Sequence, residues 1–110
     1  MSQKLLIALL GLAFVVAVIA SAWQNNVLVT SVLALCSAVM LLRPHATHSD
    51  RIAFVIGAII GPVCEAILTH AGAWHYANPT IIGIPAWLPL LWGMTIVVIL
   101  KIVGMVERTD

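Results

Sequence analysis

The amino-acid sequence predicts an all-α fold: a polytopic transmembrane four-helix bundle with both termini cytoplasmic and a structured Pro- and Trp-rich outer loop between the third and fourth helices. Three observations predict it. Hydrophobic residues make up 63% of the 110-residue chain and charged residues 8%, which leaves too little polar surface to solvate a globule of this length. The apolar residues fall into four runs, 5–22, 27–42, 52–69 and 87–103, each close to the roughly 17 to 20 residues that a bilayer crossing takes. The five Lys and Arg residues all lie on one side of the membrane these runs imply. Residues 1–110 therefore read as a single transmembrane domain.

The first run follows Lys4 and has no acidic residue. A weak basic start and the small residues Ala20-Ser21-Ala22 also fit a cleaved secretory signal. Its apolar stretch exceeds the about 7 to 15 residues of a signal core and another run follows at once, so it is read as a membrane helix. The second run begins after Gln24-Asn25-Asn26 and ends at Arg43, and the third follows Arg51. The fourth is closed by Lys101 and Arg108. The 71–86 connection and the Gln24-Asn25-Asn26 turn carry no Lys or Arg, so the positive-inside rule puts both outside and puts the 43–51 connection and both termini in the cytoplasm. Trp23, Trp74, Tyr76, Trp87 and Trp92 then gather at the outer interface, where amphipathic rings are favoured.

The third run holds the only acid within an apolar segment, Glu65. A charged side chain near the centre of a span costs about 2.5 to 3.5 kcal/mol on insertion scales, and such residues are functional candidates by default. On a helix turning about 100° per residue, Gly61 lies about 40° from Glu65 and Ala58 about 20° to the other side. Gly57, Ala58 and Gly61 thus form a small-residue packing face shared with the carboxyl, which aims Glu65 at protein instead of lipid tails. Pro62 removes an amide donor one turn earlier and adds a possible kink. The alternative role for Glu65 is structural, a hydrogen bond to a neighbouring helix or to the loop that follows.

That loop is the densest cluster of special residues in the chain, Gly72-Ala-Trp74-His75-Tyr76-Ala-Asn78-Pro79 followed by Gly83-Ile84-Pro85-Ala-Trp87-Leu-Pro89. Glycine and proline at these intervals oppose a continuous helix and favour a structured or re-entrant turn. Pro85 or Pro89 suits the first turn of the fourth helix. The loop reads either as an interfacial aromatic belt or, collectively, as a lid in which Trp74, His75, Tyr76 and Asn78 cover Glu65. Trp74, Asn78, Trp87 and Trp92 are then the ligand-binding candidates, and Glu65, His75 and Tyr76 the catalytic ones. Glu65, His70 and His75 are five apart, a spacing that does not cluster them on a helix, and no Cys-pair or HExxH signature is present, so no metal is expected. No cofactor is implied. His45 and His48 read as solvated turn residues, and Cys36 and Cys64 as small apolar core residues. A net charge of +1 without a cationic patch excludes nucleic acid as a partner.

The segment Gly61-Pro-Val-Cys64-Glu65, with Gly72-x-Trp74-x-Tyr76-x-x-Pro79 and Gly83-Ile84-Pro85-x-Trp87-x-Pro89-x-x-Trp92, resembles a pattern in small uncharacterised bacterial four-helix integral membrane proteins. That resemblance implies a bacterial inner-membrane location. The same third of the chain, 61–93, also resembles the membrane-embedded carotenoid hydratase and lycopene cyclase group, whose segments pair an intramembrane Glu with a Gly-aromatic-Tyr turn. This implies acid chemistry on, or binding of, an isoprenoid, although the chain has fewer spans than those enzymes and one candidate acid. In size alone it is similar to small multidrug-resistance transporters, but their essential carboxylate lies in the first helix, which here has none. The leading expectation is recognition, with possible acid-catalysed conversion, of an isoprenoid or lipid-like molecule at an outer-leaflet site. The alternatives are an accessory subunit, docked on a partner or a second copy through Gly57 and Gly61, and a proton-coupled transporter.

Overall fold

The computed structural model describes residues 3–109, with side chains as far as Glu107, so Arg108 of the charge pattern lies outside the described side chains. Four helices follow one another: α1 (Gln3–Ala22), α2 (Asn26–Leu42), α3 (His48–His70) and α4 (Leu88–Thr109). No strand occurs among the described residues, only an isolated bridge between Ile81 and Ile84. Three of the helices, α1, α3 and α4, are long and apolar enough to cross a membrane. At 17 residues α2 is shorter, spanning about 25 Å at 1.5 Å per residue.

Two helix boundaries differ from the hydropathy reading. Helix α3 starts at His48, not Ile52, because Thr47 and Asp50 form a capping box. The Asp50 amide donates to Thr47 Oγ1 at 3.1 Å and the Thr47 amide donates to Asp50 Oδ2 at 3.1 Å. Two of the orphan amides at the helix start are thereby satisfied, so the polar turn is helical despite its low hydropathy. Helix α4 continues past residue 103 because Met105, Val106 and Glu107 carry the chain on without a proline, and Gly104 is the one weak breaker there.

The other helix ends follow local chemistry as well. Arg43, held extended by the following Pro44, ends α2. At the end of α3 the Ala73 amide reaches Leu68 O and the Gly72 amide reaches Thr69 O, with Gly72 at φ +88. This is a Schellman motif, which needs a residue with positive φ after the helix. Pro89 falls in the first turn of α4, where a missing amide costs no helical bond.

Helix α4 is the hub. It packs on α1, α2 and α3, and α1 also packs on α2; the α3–α4 pairing is by far the most extensive. Val15 of α1, Val29 and Leu33 of α2, Phe54 of α3 and Met94 and Val97 of α4 form the core. The α3–α4 seam is the tightest. A methyl group added at Gly57 would lie 2.6 Å from Ile96 Cγ1, one at Gly93 2.7 Å from the Phe54 ring, and one at Gly61 inside the Trp92 indole. The small-residue face of α3 therefore receives α4 of the same chain.

The connections sort to two ends. The α1–α2 turn and the 71–87 segment meet at one, where Asn78 Nδ2 donates to Trp23 O at 3.1 Å and to Gln24 O at 2.9 Å. At the other, Lys101 Nζ lies 3.5 Å from Asp50 Oδ2 and Arg51 Nε donates to Leu41 O at 3.1 Å. Cys36 is half-buried and Cys64 is exposed, both unpaired. Cys64 is thus no core residue: it lies one position before Glu65, turned away from α4 by the helix rotation.

Candidate functional site

Glu65 lies five residues before the end of α3, roughly 7 Å below it along the helix axis. The Tyr76 hydroxyl donates to its Oε1 and the Trp92 indole Nε1 donates to its Oε2. One donor comes from the loop and one from α4, so the carboxyl ties three segments together. Trp92 reaches it because Gly61, one turn earlier on α3, has no side chain where the indole lies.

Tyr76 is placed by a chain of polar contacts. Its ring meets Trp87 edge-on, with centroids 6.3 Å apart and an interplanar angle of 89°, a favoured arrangement for an aromatic pair. Trp87 is 6% exposed and donates through Nε1 to Asn26 Oδ1 at 3.2 Å. Asn26 Nδ2 in turn donates to Asn78 O at 2.9 Å and Thr80 Oγ1 at 2.8 Å. The start of α2 thus clamps the loop that carries Tyr76. Burial, reinforced by the hydrogen bond to Glu65, pushes the Tyr76 phenol well above its ordinary range, so it is held as a neutral donor.

Beside the carboxyl opens a cleft of about 460 Å³, a size typical of small-molecule sites. Val16, Ile19 and Ala20 of α1 form one wall, and Trp87, Leu91 and Trp92 another; Glu65, Tyr76 and Thr95 supply its polar atoms. A hollow of about 250 Å³ continues it under Trp23 and Asn78, again along Ile19 and Ala20. The cleft lies between α1 and α3, with Val16 and Ala20 of its α1 wall exposed at its side.

Of the residues singled out from the sequence, the structure brings Glu65, Tyr76, Trp87 and Trp92 to this cleft. Trp92 is a hydrogen-bond donor there as well as an apolar wall. Asn78 lines the adjoining hollow, with its amide directed at the α1–α2 turn. Trp74 is 40% exposed, and His75 is exposed and lines a separate hollow of about 650 Å³ with His70 and Thr69. The four-residue lid is thus reduced to Tyr76. Among the described residues no group of three or more His, Cys, Asp or Glu side chains is placed to hold a metal.

Sequence reasoning missed Asn26, Thr80, Thr95 and the α1 wall. Asn26 follows the α2 cap Asn25, whose side chain accepts from the Leu28 amide at 3.1 Å; a second Asn just inside a helix start was the available signal. The α1 residues carried none, being three apolar side chains in an apolar helix.

Fold and cleft together define the class: an all-helical chain compatible with membrane embedding, with three helices able to cross a bilayer. No protein-family model matches the chain, and no curated protein or solved structure shows significant similarity to it. The likeness to carotenoid enzymes accordingly rests on the 61–93 motif alone.

Proposed function

We propose that the chain is a four-span protein of the bacterial inner membrane, with both termini and the 43–51 connection cytoplasmic, that binds an isoprenoid or lipid-like molecule in the Glu65 cleft at the outer-leaflet end. The observation that carries this reading is the placement of Glu65. The one carboxyl within an apolar segment borders an apolar cleft of about 460 Å³ and is matched there by two neutral donors, not by a cation. A site with apolar walls and a few fixed polar groups is the usual form of a small-molecule pocket.

Shape and charge support the setting. The molecule measures 41 × 26 × 21 Å, and its long axis matches the ~40–45 Å of a bilayer with its headgroup regions. Large apolar side chains such as Leu10, Val27, Leu35 and Ile67 face outward, as lipid contact requires. Arg43, Arg51 and Lys101 share the end opposite the tryptophan-rich loop, which by the positive-inside rule is the cytoplasmic end. For acid–base chemistry the cleft offers Glu65 with the Tyr76 hydroxyl bonded to it.

The test is mass spectrometry of lipophiles that co-purify with the wild type in mild detergent, against Glu65→Gln prepared identically. One class of lipophile enriched several-fold on the wild type, at equal folding, is the expected result. Nothing enriched in either preparation counts against binding. A second reading has its own observation, an internal donor on each Glu65 oxygen: Glu65 is then a staple between α3, α4 and the loop. It requires Glu65→Gln, Tyr76→Phe and Trp92→Phe all to unfold the protein at lower temperature without altering any bound molecule.

A further inference from the structure

We infer that the cleft selects its ligand by the character of its polar end: it takes an apolar molecule ending in a hydrogen-bond donor, a hydroxyl or an amine, and discriminates against carboxylate and phosphate heads. The inference rests on the proposed binding role and adds the chemical class of the ligand.

Donor bookkeeping carries the argument. The Tyr76 hydroxyl and the Trp92 indole N–H both point at Glu65, the Trp87 indole N–H is taken by Asn26, and the Thr95 hydroxyl donates to Leu91 O at 2.7 Å. Every side-chain donor that lines the cleft is therefore committed within the protein. Acceptors remain: a carboxylate offers about four lone-pair sites and a hydroxyl oxygen two, of which the internal bonds use one on each Glu65 oxygen. A ligand donor can complete this set. A ligand acceptor can enter only by displacing an internal bond and leaving a group unsatisfied, which is costly in an apolar site.

Charge points the same way. No Lys, Arg or His lines the cleft. Arg51 and Lys101 are engaged at the opposite end, and His70 and His75 open on the separate hollow beyond Tyr76. An anionic head would sit beside Glu65 with no counter-charge, a repulsive element of the kind that sets specificity. Val16 and Ala20, which line the cleft and are exposed at its side, leave an apolar chain a sideways route to this point.

The experiment uses the full chain in lipid nanodiscs and a photoreactive long-chain alcohol whose adduct is mapped by mass spectrometry. Matched alkyl alcohol, amine, carboxylate and phosphate competitors of the same chain length are then titrated against labelling. Labelling should map to cleft residues such as Ile19 or Leu91, with the alcohol and amine competing at concentrations about tenfold below the two anions, equivalent to about 1.4 kcal/mol. In folded Glu65→Gln, whose amide supplies a donor, the gap should narrow to about threefold. Anions that compete as well as the alcohol overturn the charge rule while leaving the cleft as a binding site. An unchanged gap in folded Glu65→Gln removes Glu65 as its cause, and labelling outside the cleft overturns the binding role itself.

Discussion

The contact between Trp92 and Glu65 depends on a residue that takes no part in it, because the indole lies across α3 where Gly61 leaves room one turn below the carboxyl. Gly61→Ala should cost about 1 to 3 kcal/mol as an overpacked seam and should also break the indole hydrogen bond. Thermal unfolding in detergent reads the first effect, and a shift in the Trp92 indole N–H resonance, assigned with Trp92→Phe, reads the second. Tyr76 offers an unusually clean observable, since it is the single tyrosine of the chain. Its raised pKa means that the folded protein keeps the phenolic proton at a pH where an exposed tyrosine loses it. The sign follows by linkage: the contribution to stability is full below the ordinary tyrosine value of about 10 and falls as the pH climbs above it. Tyrosinate absorbance should therefore lag behind that of free tyrosine while the fold persists, and should appear at lower pH in Glu65→Gln, where the carboxylate is gone. Half-ionisation of Tyr76 near pH 10 in folded wild type would show that neither burial nor Glu65 holds the proton.

Helix ends and turns show how far local chemistry was legible in the chain. The apolar runs disclosed four helices because apolar residues cover them on nearly every side, and α1, long and apolar enough to cross a membrane, is the plainest case. The start of α3 was misplaced because hydropathy is blind to the capping box at Thr47 and Asp50, although both residues stand three apart in the sequence. The glycines and prolines of the 71–87 segment mark a break between helices, but which of its side chains reaches Glu65 depends on a clamp from Asn26, 52 residues before Asn78. Local spacing holds no record of such a contact. Two turn positions now carry opposite expectations. Gly72, at φ +88 with open space where a methyl group would go, should lose about 1 kcal/mol on substitution by Ala through backbone conformation alone. Ile82, a branched residue at φ +46 beside Gly83 at φ +81, is strained in a turn that favours Asn or Gly. Ile82→Asn should accordingly raise stability by about 0.5 to 1 kcal/mol. Thermal unfolding of the two variants in the same detergent tests both, and a common sign for the two would refute the turn geometry.

At the scale of the whole molecule, the position of the cleft follows from α4 serving as the common neighbour of the other three helices, with α3 held to it far more extensively than α1 or α2. The glycine seam draws α3 tightly onto one side of α4, the α1–α2 pair occupies another, and the space left between α1 and α3 is walled by side chains that no single-helix pattern marks. Ala20 lines both the cleft and its adjoining hollow and is exposed. A large side chain there can fill the cleft without entering the buried core of Val15, Val29, Leu33 and Val97. Ala20→Trp should therefore abolish retention of the lipophile while changing stability by no more than about 0.5 kcal/mol, the usual range for a site outside the core. Mass spectrometry of co-purifying molecules and thermal unfolding, run on the same preparation, give the two readings. Retention unchanged in a folded Ala20→Trp protein would move the binding site out of the α1–α3 gap, and lost retention with a large fall in stability would mean that α1 packs there more closely than the cleft allows. Lost retention at preserved stability separates a cleft that holds a ligand from a carboxyl that merely staples helices, because Ala20 contributes nothing to the hydrogen bonds of Glu65.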